Sequence, residues 1–230
     1  MKYMGGKYRL AKWIVPILIK QMQLHGCLHF ADLFCGAVNI VGNMPATGRR
    51  IANDRHADLI ALWQAVQLGY APPPTLSRGK YARLKATRGQ APDPLRAFAG
   101  FGCSYRGKYF GGYDPDGAGP ASRAIQAKAP LIAGVEFSCL DYREVAIPKR
   151  TLIYCDIPYR GTTQYGVRFD HDAFWKWAEA TSKTHPVVVS EYARNAGTHH
   201  VLAKRSSTCF MSDRHTIPTE EVLLLLSPQG

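Results

Sequence analysis

The sequence lacks any long apolar run. None reaches the roughly 18–20 consecutive residues that a membrane-spanning helix needs, and the longest candidate, residues 13–19, contains Pro16. The first residues, "MKYMGGKYRLAKW", also lack the apolar stretch and the small-residue cleavage site of a signal peptide. These absences lead us to expect a cytoplasmic protein.

Cysteines are few and scattered along the chain. No two of the six have the spacing of a zinc knuckle. We therefore expect no structural metal and, in a cytoplasmic protein, buried free thiols. They are Cys27, Cys35, Cys103, Cys139, Cys155 and Cys209.

Acidic residues are also scarce. The chain has 17 Asp and Glu against 29 Lys and Arg, a net charge of +12, which favours a polyanionic partner. The excess is concentrated in residues 72–130, where ten basic residues stand against three aspartates, a net charge of +7. This segment is either a solvated insert or a lobe that faces nucleic acid, and its charge favours the second.

What is present is the composition of a folded domain. The 230 residues are 46% hydrophobic, enough for one core with a small inserted lobe. Apolar periodicity predicts helices at 9–24, 56–69 and 172–182, and strands at 29–34, 50–53, 135–137, 152–155, 187–189 and 222–226. Strands that alternate with helices predict an open α/β sheet, with ligands beyond the carboxyl ends of its strands.

A break in the pattern indicates the domain organisation. The stretch "APPPT" ends the first α/β part, and regular alternation returns after Gly134. Between them lie short helical patches at 80–87, 94–99 and 121–129 and a glycine-rich, aromatic and basic stretch. We expect one domain made of residues 1–71 and 131–230, and an inserted basic lobe of residues 72–130.

Three predicted strand ends carry acidic residues. "FADLFCGAVNI" brings Asp32 and Gly36 to the first, "RIANDRH" brings Asp54 to the second, and "YCDIPY" brings Asp156 to a third. An acid about twenty residues after a glycine turn is how such sheets bind a ribose. Alone this pattern is unspecific, because Val38 stands where a dinucleotide fingerprint has glycine.

The residues Asp156-Ile157-Pro158-Tyr159 combine a carboxylate, a stiff backbone and a flat ring. The carboxylate and the carbonyl of Ile157 can each accept a hydrogen bond from an exocyclic amine, while Tyr159 stacks on its ring. A base in duplex DNA must first be flipped out at a cost of a few kcal/mol, and stacking returns about 1–3 kcal/mol. The alternative is a capped turn with a tyrosine buried in the core. On the evidence of these four residues alone, this alternative is the better interpretation.

The order of the motifs changes this balance. In sequence the chain carries "YMGGKYRLAKWI", "ADLFCGAVNI", "IANDRHADLI", "FSCLDYREV", "LIYCDIPYRGTTQYG", "FDHDAFWKWA", "VVVSEY" and "TEEVLLLLS". This series resembles the Dam-like DNA N6-adenine methyltransferases, particularly those of phages and prophages, over nearly the whole chain. The resemblance implies a Rossmann-like α/β methyltransferase sheet with helices on both faces and a small inserted DNA-recognition lobe. It also implies S-adenosylmethionine as cofactor, no metal, and methylation of N6 of a flipped adenine in double-stranded DNA.

The resemblance also implies roles for matching residues. Asp54 would hold the cofactor ribose and Asp141 would lie near the cofactor's adenine ring. Asp156 would accept from N6 and Tyr159 would stack on the base, over which residues 160–168 would close. The implied cofactor-binding residues are Tyr3, Met4, Gly5, Gly6, Lys7, Asp32, Phe34, Gly36, Asp54 and Asp141. The implied catalytic residues are Asp156, Ile157, Pro158 and Tyr159, and the implied DNA contacts are Tyr105, Arg106 and Lys108.

Two residues depart from the family pattern. Ile157 replaces the first proline of the usual Asp-Pro-Pro-Tyr, keeping the carbonyl but losing the fixed φ. Because Pro158 still restricts residue 157 to extended conformations, we expect activity to survive this substitution. Val38 in place of glycine would crowd the cofactor, but "FCGAVNIVGN" resembles the phage-type version of this loop, so we interpret it as a subtype.

Several alternatives remain open at this point. A degenerate relative would bind cofactor and DNA without turnover, and a noncatalytic α/β module would bind another nucleotide. N4-cytosine methylation needs the same polarised amine, but the corresponding motif usually begins with serine, so Asp156 argues for adenine. Ser190, Glu191 and Tyr192 are interpreted as pocket residues, and the default assembly is a monomer.

Overall fold

A computed structural model describes residues 1, 3–160, 169–212 and 215–228. Its strands are β1 (His29–Asp32), β2 (Arg50–Asn53), β3 (Val135–Ser138), β4 (Thr151–Cys155), β5 (Val187–Tyr192), β6 (His200–Ser212) and β7 (His215–Leu226). Its α-helices are α1 (Ala11–Leu24), α2 (Ala57–Gln67), α3 (Arg78–Ala86), α4 (Pro94–Ala97), α5 (Ala118–Gln126) and α6 (His171–Ser182).

The strands form one mixed sheet in the order β3-β2-β1-β4-β5-β7-β6. The first five in this order are parallel, and β7 lies antiparallel between β5 and β6. All five residues of β4 are buried, as expected for a central parallel strand covered on both faces. The open α/β sheet predicted from the sequence is therefore confirmed.

Alternate residues of the central strands belong to two hydrophobic cores, one on each face of the sheet. Leu152 and Tyr154 of β4 belong to the larger core, which is covered by α1, α2 and residues 72–130. Ile153 and Cys155 face the smaller core, which is covered by α6 through Phe174. This period-2 division places helices on both faces and leaves the carboxyl edge of the parallel strands for the site.

One strand was missed by the sequence analysis. β6 spans 13 residues and pairs along its length with β7. Its stretch "AKRSS" interrupts the apolar alternation, and Lys204, Arg205 and Ser206 are exposed. Because β6 is an edge strand, its residues need not follow the pattern of a buried strand.

Residues 72–130 fold onto the larger core as α3, α4, a π-helical turn at Phe98–Gly102, and α5. A buried ion pair fixes this packing: Arg96 donates from Nη2 to Asp58 Oδ1 at 2.6 Å and from Nε to Oδ2 at 2.7 Å. The Tyr109 hydroxyl donates to Oδ2 at 2.6 Å. Burial raises the pKa of Asp58, but the hydrogen bonds from Arg96 and Tyr109 more than offset this, so the pKa lies below its ordinary value.

Within the described ranges, no helix is both long enough and apolar enough to cross a bilayer.

Replacing Arg96 with methionine should destabilise the protein strongly. The side chains of Arg96 and Asp58 are 3% and 8% exposed, so the substitution leaves a buried carboxylate without its cation, at a cost of about 3–5 kcal/mol. Urea denaturation measures this loss. The control is Arg49→Met, because Arg49 and Glu136 are 51% and 49% exposed and an exposed ion pair contributes little to stability. Equal losses for the two variants would contradict this account of the packing.

Candidate active site

Three acidic residues meet at the carboxyl edge of the sheet, because β2, β1 and β4 are neighbours. Asp32 ends β1, and Asp54 and Asp156 directly follow β2 and β4. Asp32 is 1% exposed, and among the described residues its Oδ1 has no hydrogen-bond partner. Burial, and then the negative charge of Asp156, raise the pKa of Asp32 well above its ordinary value, despite hydrogen bonds from backbone amides.

The loop after β1 is held by Asp54. Its Oδ2 accepts a hydrogen bond from the Gly36 amide at 3.0 Å, and its Oδ1 accepts one from the His56 amide at 2.9 Å. The Gly36 carbonyl accepts from Trp63 Nε1 at 2.9 Å. Gly36 has φ +46°, and a Cβ there would lie 3.0 Å from the ring of Tyr3. Glycine is therefore favoured at this position, and each Asp54 oxygen retains capacity for a further donor.

Val38 adopts a backbone conformation that normally belongs to glycine. Its φ is +52°, which is uncommon for a β-branched residue and costs about 1–3 kcal/mol. The side chain is 1% exposed and packs in the larger core. The comparison with the dinucleotide fingerprint marked this position for glycine without predicting its positive φ, and the buried valine side chain packs into the core.

The loop "YMGGK" joins the insert to the site. The Met4 amide donates to the Gly107 carbonyl at 3.2 Å, and the Gly6 amide donates to the Tyr3 carbonyl at 3.0 Å. Gly5 has φ +78°, which permits this tight turn. The ring of Tyr3 packs against Phe101 of the insert, with centroids 5.0 Å apart.

Lys7 extends from this loop to the Asp156 carboxylate. Its Nζ lies 2.7 Å from Asp156 Oδ1, 3.3 Å from Glu221 Oε1 and 4.5 Å from the centroid of the Tyr159 ring. The side chains of Lys7 and Asp156 are 8% and 19% exposed. Burial lowers the pKa of Lys7, but the two carboxylates more than offset this, so its pKa is raised and Lys7 is charged.

Asp156 is less acidic than an exposed aspartate. Burial raises its pKa, and Lys7 lowers it by charge and hydrogen bonding without cancelling the effect of burial. Among the sequence-based site residues, Lys7, Asp156 and Tyr159 are thus brought together. Glu221 was missed, because its place at the site depends on the antiparallel return of β7, which a local pattern does not reveal.

The ring of Tyr159 forms one wall of this site. It is 8% exposed, packs edge-on against Tyr192 with centroids 4.5 Å apart, and donates its hydroxyl hydrogen to Glu221 Oε1. The Pro158 carbonyl lies 2.8 Å from His171 Nε2, which holds the turn against α6. Ile157 is 2% exposed in the smaller core, so its side chain packs away from solvent.

Asp141 borders an open cleft of about 440 Å³ beyond the ends of β2 and β3. Its carboxylate accepts from Arg55 Nη1 at 2.9 Å and from Arg143 Nε at 2.7 Å. The Asp54 amide donates to the Ser138 carbonyl at 3.3 Å, so Asp54 and this cleft are neighbours. The cleft is lined by Arg55, Cys139, Leu140, Asp141, Arg143 and Glu144. The sequence analysis had not singled out a role for Arg55 or Cys139 in this cleft.

Other residues named from the sequence lie apart from this cluster. The ring of Phe34 packs against Tyr142 and Phe174 at 5.6 and 6.0 Å, on the face covered by α6. Tyr105, Arg106 and Lys108 are exposed on the insert. Of the segment expected to close over the base, residues 161–168 lie outside the described residues. In the described part of the chain, no group of His, Cys, Asp and Glu side chains is arranged to hold a metal ion.

Together these features define the class of the protein. The order β3-β2-β1-β4-β5 is that of a Rossmann-like doubly wound sheet, extended here by the antiparallel β7 beside β5, and acids lie at the carboxyl ends of β1, β2 and β4, where such sheets bind ligands. Residues 3–71 match the family model for D12 class N6 adenine-specific DNA methyltransferases. Over those residues the match supports the resemblance to the DNA N6-adenine methyltransferases.

Two solved structures show more distant likeness. Magnesium protoporphyrin IX methyltransferase from Synechocystis PCC 6803, solved with bound SAM, is 9% identical with a TM-score of 0.38, over 94% of this chain and 78% of that chain. An RNA methyltransferase from Salinibacter ruber, solved with S-adenosyl-L-homocysteine, is 12% identical with a TM-score of 0.37, over 94% of this chain and 93% of that chain. Because these TM-scores are low, the fold assignment rests on this chain's own strand order. Among curated proteins, no sequence matches the chain.

If the cleft beside Asp141 receives the adenosine of the cofactor, a bound ligand should cover Cys139, which is exposed and lines it. We predict that S-adenosylhomocysteine at about ten or more times its Kd slows alkylation of Cys139 by iodoacetamide about tenfold. Peptide mass spectrometry measures the rate at each thiol. The control is the half-buried Cys27, which precedes β1 at the opposite edge of the sheet and should react at an unchanged rate. Equal protection of both thiols, or of neither, would contradict this placement.

Proposed function

We propose that the protein is an S-adenosylmethionine-dependent DNA methyltransferase that methylates N6 of adenine. The observation that carries the proposal is the cluster at the carboxyl edge of the sheet. There the Asp156 carboxylate, paired with a buried ammonium, lies beside the ring of Tyr159. The family match over residues 3–71 supports the same activity.

The residues beyond β1 and β2 fit the cofactor. The buried Oδ1 of Asp32 lacks a partner among the described residues, so it is available to an ammonium group such as that of a methionine moiety. Gly36 leaves no room for a side chain, Asp54 would hold the ribose, and the cleft beside Asp141 would take the adenine ring. When bound, the cofactor supplies an electrophilic methyl group on a sulfonium.

The chain's own residues would activate the amine. Asp156 would accept a hydrogen bond from one N–H of the N6 amine, and the Ile157 carbonyl would accept one from the other N–H. These two hydrogen bonds would draw the N6 lone pair out of conjugation with the ring. Tyr159 holds the base plane. The new N–C bond would replace the methyl–sulfur bond of the cofactor, with a neutral thioether as the leaving group, and Asp156 would take the proton that the cationic N6 then loses. Lys7 favours the ionised form of Asp156 before the base arrives.

We further propose that double-stranded DNA binds across the basic insert and that the target adenine is flipped into the site. The exposed Tyr105, Arg106 and Lys108 are neighbours of Gly107, whose carbonyl accepts a hydrogen bond from the Met4 amide. Contact with DNA would therefore act on the loop that carries Lys7. Basic residues of this kind bind phosphates independently of sequence. The proposal takes the protein as a cytoplasmic monomer. The phage-type loop favours a role on phage DNA, where methylation protects against restriction.

Replacing Asp156 with asparagine should abolish turnover while sparing binding. The substitution keeps the shape but removes the carboxylate that accepts from N6 and takes its proton, so we expect kcat to fall by about 100-fold or more. Methyl transfer from tritiated S-adenosylmethionine measures kcat, and calorimetry measures cofactor affinity. The control is Asp172→Asn, since the Asp172 side chain is 83% exposed. Unchanged turnover in Asp156→Asn would refute the assignment.

A further inference from the structure

We propose that Glu221 is a positioning residue of this active site. Its carboxylate fixes the ring of Tyr159, and it receives the Lys7 ammonium when the target amine takes Asp156. This inference rests on the proposed function and assigns to the same site a residue that acts through Tyr159 and Lys7.

The topology of the sheet brings Glu221 to the site. β7 runs antiparallel to β5 with Glu221 opposite Tyr192, so the beginning of its buried stretch lies at the carboxyl edge of the parallel strands. The next residue on the same face, Leu223, belongs to the larger core. Glu221 is 3% exposed, whereas Glu220 is exposed and lies 3.6 Å from Lys204. Two adjacent glutamates thus occupy opposite environments.

Burying Glu221 is costly for folding alone. Burial raises its pKa, Lys7 lowers it, the charge of Asp156 raises it, and the net pKa lies above its ordinary value. Since removing an ion from water is costly, an apolar residue would continue the core of β7 more favourably. A buried carboxylate with a perturbed pKa, close to the carboxylate that accepts the proton of the target amine, is a candidate for a functional role.

Lys7 occupies the place that the target amine requires. Its Nζ uses Asp156 Oδ1 at 2.7 Å and lies 4.5 Å from the centroid of the Tyr159 ring, whereas an adenine stacked on Tyr159 would present N6 to the same carboxylate. Glu221 Oε1 is 3.3 Å from the same Nζ. Lys7 can therefore turn to Glu221 as the base arrives, so that its charge stays paired inside the pocket.

The same carboxylate orients the stacking ring. The Tyr159 hydroxyl donates to Glu221 Oε1, while the ring edge is packed against Tyr192. A hydrogen bond at one end and an aromatic contact at the other restrict the ring plane on which the base must lie. Small misplacements of a reacting group reduce rates by about 100-fold.

The test compares Glu221→Gln with the matched control Glu220→Gln. Glutamine keeps the shape and an oxygen for the Tyr159 hydroxyl but removes the charge that attracts Lys7. We expect kcat to fall about 10- to 100-fold, with an unchanged KM for S-adenosylmethionine and a normal thermal midpoint. The substitution removes a negative charge near Asp156 and leaves Asp156 as the carboxylate partner of Lys7, so the pKa of Asp156 falls. The acid limb of the pH profile of kcat therefore moves to lower pH. The control should match wild type throughout.

A double variant separates this role from a merely structural one. In Glu221→Gln, the remaining carboxylate partner of Lys7 is Asp156, so the lysine blocks the amine's place. At a pH high enough to ionise Asp156 without the help of Lys7, adding Lys7→Met should then recover at least about fivefold of the lost kcat, a non-additive effect. A double variant that is slower than Glu221→Gln would overturn the exchange of partners.

The outcomes distinguish this inference from the proposed function. If wild type transfers no methyl group to DNA, the proposed function fails. If wild type is active and Glu221→Gln equals Glu220→Gln, the role of Glu221 is refuted and the function stands. If Glu221→Gln does not fold, Tyr159→Phe tests the same contact, because it removes only the hydroxyl donor. A fall in kcat of about tenfold supports the positioning of the Tyr159 ring by Glu221, and an unchanged kcat overturns it.

Discussion

The structure depends on balancing charge at the carboxyl edge of the sheet. Two carboxylates, Asp156 and Glu221, are brought together there by β4 and β7 and share one buried ammonium, Lys7. Without that ammonium, both would be driven by burial towards their protonated forms, and Asp156 would be lost as an acceptor. Through Lys7, the loop "YMGGK" is therefore part of this charge cluster, which we propose to be the catalytic centre.

The same loop connects the chemistry to the insert. Met4 is bonded to Gly107, and the ring of Tyr3 meets Phe101, which packs in turn against Tyr109 with centroids 4.8 Å apart. Tyr109 is anchored by Asp58 of α2. The basic lobe is thus continuous with the core of the α/β domain, and the turn that we propose to contact DNA is joined by one hydrogen bond to the loop that carries Lys7. Such an arrangement allows DNA contact and the state of the site to influence one another.

Local patterns accounted for much of the fold and part of the site. The short apolar strands β1, β2 and β4 and the amphipathic α2 were predictable because their periodicity and bounding residues are local. Acids at their ends followed from topology, since parallel strands bring their carboxyl ends to one edge. Glycine was expected at Val38 from the dinucleotide fingerprint, but the positive φ of that residue was not predicted.

What sequence reasoning missed depends on contacts distant in the chain. Glu221 meets Tyr159 across 62 residues, and Arg96 meets Asp58 across 38, so neither has a local signal. β6 was missed because an exposed edge strand carries no alternation to detect. The roles of Asp32, Asp54, Asp141 and the exposed insert residues remain predictions that their positions support.

The central claim is that this site methylates N6 of adenine in DNA. The most direct measurement is nucleoside mass spectrometry of unmethylated DNA after incubation with the protein and S-adenosylmethionine. The account predicts N6-methyladenine, formed in spite of Ile157 in place of proline. N4-methylcytosine would contradict the base assignment. Absence of any methylated base, with cofactor binding verified by calorimetry, would contradict the activity and make Ile157→Pro the next variant to measure.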